Sequence, residues 1–166
     1  MKDELKSQFE DVFAEHGRKV EQLRQVKVAK ESAEEQFIRA FRESCTSVIK
    51  PAFEHIGAYL ATKGLKSAIA ESQDQPGRDG RQETREQISL RVQLDDDDGR
   101  GYRAAHEIPQ LSLIPDKYKQ EVTIHQSTIS RSRGGMSGAV GTVRLEQVTE
   151  ELLEQKVLNF VRELLK

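Results

Sequence analysis

Between Lys2 and Lys50 the chain has no proline and one glycine, Gly17, and this unbroken run constrains the fold more than any other feature. Apolar residues return through it at helical spacing, at Phe9, Val12, Leu23, Val26, Ala33, Phe37 and Ala40. They fit a heptad register with Phe9 at a and Val12 at d. The same register puts His16 and Lys30 at a and Lys19 at d, so the seam is imperfect. Glu15 with Lys19 and Glu35 with Arg39 add opposite charges four residues apart, which support a helix without replacing tertiary packing. A continuous helix of this length spans roughly 70 Å at about 1.5 Å per residue, wider than a small domain, so part of it needs a partner. The alternative is a helical hairpin breaking near Gly17.

From Phe37 the spacing tightens to Phe41, Cys45 and Val48, a 3.6-residue stripe expected where a helix enters a globular core. Pro51 suits the first turn of a new helix, whose face is Phe53, Ile56 and Leu60 and whose left-handed stop is Gly64. The stretch "LKSAIAES" reads as a strand. Residues 72–87 carry no apolar side chain and read as a mobile loop.

The period then changes from helical to alternating. Ile88, Leu90, Val92 and Leu94 alternate with polar residues, as in a half-buried strand with one wet face. Further strands are expected around Ile108–Leu113, Val122–Ile124 and Val143–Leu145, with a Gly-rich loop at 131–141 before the last. Thr149 reads as the N-cap of a final helix, with Glu150 and Glu151 at its positive end and Leu153, Val157, Phe160, Val161 and Leu164 on one face. The expected fold class is α+β. A helical stalk (1–50), possibly a coiled coil, precedes a domain (51–166) in which a small antiparallel sheet of about four strands packs with the C-terminal helix.

With 26 basic and 28 acidic residues the net charge is −2, so no global field draws the chain to nucleic acid or anionic lipid. Cys45 is the only cysteine, which excludes an intrachain disulfide and means that a Cys-based zinc site would need ligands from elsewhere. The first residues carry no apolar run of signal-peptide type and no segment is apolar enough to span a bilayer, so the expectation is a cytoplasmic protein without membrane contact.

The segment "DDDDGRGYRAAHE", residues 95–107, invites a metal reading. Counted from Asp96 as a helix–loop–helix calcium loop, Asp98, Gly101 and Glu107 fall at positions 3, 6 and 12, but Arg100 takes a ligand position and the flanks read as strands. Asp96, Asp98 and Glu107 remain weak metal candidates, with His106 beside them for a metal enzyme; the competing reading is a solvated acidic turn that discourages edge pairing. "RSRGGMSGAVG" lacks the Lys-Ser/Thr of a phosphate loop and the spacing of a dinucleotide fingerprint. Arg131 and Arg133 there are candidate contacts for an anion or nucleic-acid backbone, extended by Arg78, Arg81 and Arg85 if the two loops lie on one side. His125 shares a strand face with Thr123 and Ser127, spacing that does not define a nucleophile and its base. His55 lies off its helix's apolar face. Protonation of His16 would add like charges across a parallel seam. Cys45 reads as packing rather than as a reactive thiol.

No catalytic constellation and no cofactor fingerprint emerges. The sequence therefore favours a non-enzymatic accessory or scaffold protein. It assembles as a homo-oligomer or a hetero-complex through Phe9, Val12, Leu23, Val26 and Phe37 and offers the α+β domain to a protein partner. A nucleic-acid-binding accessory protein is the runner-up, and a metal-dependent enzyme follows it.

Overall fold

The computed structural model describes residues 3–77, 79, 82–94, 107–130 and 134–166. The chain divides into two units, residues 1–37 and residues 38–166. Helix α1 (Asp3–Ser44) runs through Gly17 without a break, so no hairpin forms there. The second unit thus begins at Ile38, inside the stretch that the sequence assigns to the stalk.

No helix break occurs at Pro51. Instead a five-residue π-turn (Cys45–Ile49) links α1 to α2 (Lys50–Thr62), and the Lys50 N–H reaches back to the Cys45 carbonyl. Proline lacks a donor and its ring crowds the carbonyl four residues back, and a widened turn relieves both problems. Two hydroxyls bond back to the preceding turn: Thr46 Oγ1 donates to Arg42 O at 3.2 Å and Ser47 Oγ to Glu43 O at 2.8 Å. In an uninterrupted helix at about 100° per residue, Ile49, Phe53 and Leu60 would sit roughly 80–120° around the axis from Phe41. One residue absorbed by the turn brings all three within about 20° of it. All four side chains are buried.

Helix α2 stops as the sequence suggests. Gly64 has φ 82°, and Leu65 N–H bonds Leu60 O while Gly64 N–H bonds Ala61 O, the paired pattern of a left-handed helix stop. Strand β1 (Lys66–Ser72) follows, then a small antiparallel ribbon of β2 (Gln75–Pro76) and β3 (Gln82–Thr84). The remaining strands are β4 (Gln87–Gln93), β5 (Gln110–Asp116), β6 (Glu121–Ser127) and β7 (Ser137–Arg144). Together with β1 they form one antiparallel sheet in the order β1-β4-β5-β6-β7. Helix α3 (Glu150–Leu164) closes the fold, with Thr149 Oγ1 accepting from Leu152 N–H as its N-cap. The architecture is α+β, with a long N-terminal helix, an antiparallel five-strand sheet and a C-terminal helix.

One sheet face is apolar. Register aligns Ile69 with Leu90, Leu90 with Leu111, and Leu113 with Ile124, which puts these side chains on a common side. Gly57 of α2 sits over Ser67 of β1, and Lys156 of α3 donates to Val140 O of β7 at 3.5 Å, so the two helices cover that face at opposite ends. Phe53 and Leu60 of α2 and Leu153, Val157, Phe160 and Leu164 of α3 are buried in the resulting core.

The second face is polar, yet it is not uniformly wet as its alternation suggested. Ser89 and Ser112 are buried there and satisfy each other across β4 and β5 at 2.9 Å. Residues 72–87, expected as a loop, contain the β2–β3 ribbon, and its root is tied down. Glu86 accepts from Arg42 Nε at 2.7 Å and Nη2 at 2.9 Å, and the backbone N–H groups of Asp74 and Glu86 each bond the other's carboxylate, at 3.2 and 2.9 Å. The Gly-rich stretch likewise becomes strand from Ser137 onward, with a bulge at Val140 that shifts register between Ile124 and His125.

Two stability outcomes follow from these ties. The Arg42 side chain is 49% exposed and that of Glu86 6%. Arg42→Ala should therefore cost about 2 kcal/mol in urea unfolding, less than the roughly 3–5 kcal/mol of a wholly buried pair. A loss under about 0.5 kcal/mol would show that water replaces the guanidinium. At Gly135 an added Cβ would fall 2.5 Å from Thr128 C and 2.6 Å from Ile129 N, both backbone atoms that cannot turn aside. Gly135→Ala should lower stability by about 1–3 kcal/mol, whereas Gly138→Ala, where nothing lies within 4 Å, should change it far less.

Candidate functional site

In the first unit, the side chains from Lys6 to Ser32 are all exposed. On a straight helix at about 100° per residue, Phe9, Val12, Phe13, His16, Val20 and Leu23 fall within roughly 100° of arc. The apolar members of that stripe face water: Phe9 and Val20 are 50% exposed, Val12 63%, Phe13 70% and Leu23 71%. Toward the C-terminus the same arc is taken over by Lys27, Lys30 and Glu34, which end the stripe. Glu15 and Lys19 flank it in an ion pair of 2.7 Å.

Phe9, Val12 and Leu23 are thus brought together as the heptad reading expected. Val26 is exposed but lies about 100° around the axis from Phe9, outside the stripe. Phe37 is half-buried. The heptad reading missed Phe13 and Val20 because a strict 3.5 period excludes them. The 3.6 period, applied to Phe9–Leu23 as it was applied to Phe41–Val48, includes both.

The described residues of the second unit form several concavities. One, of about 440 Å³, is an apolar groove between α2 and α3 lined by Ile56, Tyr59, Leu65, Val161 and Leu165 among others. At its edge His55, Glu150 and Glu154 bring one ligand atom each within 4.8 Å of one another. All three are exposed, His55 Nδ1 is 3.1 Å from Glu150 Oε1, and Glu150 already serves the N-terminus of α3, so local pairing accounts for the cluster. Spacing alone could not reveal it, since His55 and Glu150 are 95 residues apart.

Another concavity, of about 730 Å³, is lined by Arg85, Lys117, Tyr118, Thr123 and His125 among others. Asp74, Glu86 and Asp116 line it too, so it carries groups of both charges. His125 Nε2 lies 3.3 Å from Ser137 Oγ on the neighbouring strand. Among the described residues no carboxylate hydrogen-bonds its other ring nitrogen, so the pair lacks the orienting third group of a nucleophile–base–carboxylate set. Asp96, Asp98, His106, Arg78, Arg81, Arg131 and Arg133 lie outside the described residues. Glu107 is half-buried in a short helical turn before β5.

Cys45 is half-buried in the π-turn. Burial, reinforced by the negative charges of Glu71 and Glu86, pushes its thiol up to about 12. A thiol so placed is a poor nucleophile at neutral pH. In the folded chain at pH 8, modification of Cys45 by a disulfide reagent should be at least about a hundredfold slower than in denaturant; equal rates would mean that the π-turn opens readily.

Comparison of the chain with protein-family models, with curated proteins and with solved structures finds no match.

Proposed function

We propose that the chain is a non-enzymatic accessory protein that assembles with a second copy of itself through α1. The carrying observation is the row of water-exposed apolar side chains at Phe9, Val12, Phe13, Val20 and Leu23. A contiguous apolar stripe on an otherwise charged helix costs free energy in water, and covering it with a like stripe removes that cost for both copies. Helical order points the same way. Most of the stability of a long helix comes from tertiary packing of an amphipathic face, and the side chains from Lys6 to Ser32 are exposed.

The apolar stripe is short, about 21 Å from Phe9 to Leu23 at about 1.5 Å per residue, and it holds one imidazole. Such a contact suits reversible assembly better than a permanent rod. The α+β unit is what assembly would display in two copies, a protein partner being the natural reader of its surface. Salt-dependent nucleic-acid binding through Arg85 finds little support, because Asp74, Glu86 and Asp116 stand on the same concavity.

Light scattering coupled to size exclusion tests the proposal. The full chain should be dimeric at about 100 µM, and a Val20→Asp/Leu23→Asp variant monomeric with an unchanged unfolding midpoint of the α+β unit, since each buried charge would cost several kcal/mol at the contact. A monomeric wild type, or a variant that stays dimeric, would overturn it.

A further inference from the structure

We infer that two α1 helices meet antiparallel, with the two-fold axis at His16. This rests on the self-association reading above and adds its orientation and register. Symmetry supplies the first argument. In an isologous antiparallel contact, residue i faces residue j and j faces i, so the apolar pattern must be symmetric about its centre. Counted from His16, Phe9 and Leu23 lie seven residues to either side and Val12 and Val20 four residues to either side. Phe9 of one copy then faces Leu23 of the other, and Val12 faces Val20. Phe13 faces Lys19, whose stem covers the ring while its ammonium keeps Glu15 at 2.7 Å.

Charge supplies the second argument. A parallel pair in register sets every residue against its own copy, which stacks Lys27 on Lys27, Lys30 on Lys30 and Glu34 on Glu34 within the arc of the stripe. Like charges so placed weaken a helical seam. In the antiparallel pair centred on His16, Lys27 falls opposite Leu5 instead of a second Lys27.

The register is equally restricted. Moving the centre one turn toward the C-terminus, to Val20, sets Phe9 against Glu31 and Phe13 against Lys27. One turn toward the N-terminus, to Val12, sets Phe9 against Glu15 and Phe13 against Asp11. Either shift sets Phe9 against a carboxylate, whereas the His16 centre sets it against Leu23 and Val12 against Val20.

Spin-label distances on the full chain decide the matter. Ser32 and Gln25 point away from the stripe, and a nitroxide on Ser32→Cys or Gln25→Cys in a Cys45→Ser background leaves the contact untouched. At about 1.5 Å rise per residue and roughly 10 Å between axes, the antiparallel pair places the Ser32 labels about 50 Å apart and the Gln25 labels about 30 Å apart. A parallel pair gives roughly 15–25 Å for both, and that result would overturn the orientation while leaving self-association standing. Intermediate distances whose difference still tracks sequence position would overturn the His16 centre alone. Absence of dipolar coupling in a sample that light scattering finds monomeric would overturn the underlying reading instead.

Discussion

The core of the second unit depends on the π-turn between Ser44 and Lys50. Phe41 comes from the end of α1, while Ile49, Phe53 and Leu60 come from the turn and from α2, and ordinary helical winding would not bring them to the same side. The absorbed residue makes one apolar face out of two, and α2 packs with β1 and α3. Pro51 falls in the first turn of α2, and the widened turn ahead of it relieves the ring's crowding of the carbonyl four residues back. The same turn places Arg42 where it reaches Glu86, whose bidentate bond is the first cause of the guanidinium's raised pKa. A single irregular turn thus sets both the apolar core and the tie that anchors the β2–β3 ribbon.

Elements with a strong period were legible from sequence. Ile88 to Leu94 alternates over its length and becomes β4, and Leu153, Val157, Phe160 and Leu164 recur as a helix face and become the buried side of α3. Thr149 and Gly64 were legible for a different reason, since a helix cap is a local hydrogen-bonding problem with few residue solutions. The π-turn was not. Its cause is the phase between two apolar sets, and phase is visible only when both sets are known to enter one core. Residues 72–87 were misread for a related reason: their order comes from polar groups meeting across distance, Glu86 with Arg42 and with Asp74, which an apolar count cannot register.

The candidate site was half legible. Phe9, Val12 and Leu23 stand out under any helical period, but Phe13 and Val20 emerge only at 3.6 residues per turn, and Val26 enters the set only under a strict 3.5. Exposure separates the two readings of an apolar helix residue, core or contact, where spacing cannot. Phe41 and Phe13 have comparable neighbours in sequence, yet Phe41 is 1% exposed and Phe13 70%. The groups that meet in the second unit, His55 with Glu150 and Arg85 with His125, come from distant elements and carry no signature in their spacing.

In the proposed dimer, helical order and association would be coupled in the first unit. A helix without tertiary contacts gains about one hydrogen bond per residue against a backbone entropy of about 1–2 kcal/mol, a balance close to zero even for good helix formers. Its residues include Val12, Val20, Val26 and Val28, whose branched side chains shift the balance toward disorder. Covering the Phe9–Leu23 stripe adds apolar burial to the helical side only, so a partner stabilises the helix and the helix presents the stripe to the partner. In the proposed dimer each copy would therefore meet part of the ordering cost of the other. Such assembly would be steep in concentration and sensitive to single substitutions in the stripe, while the buried core of the α+β unit involves none of the stripe residues.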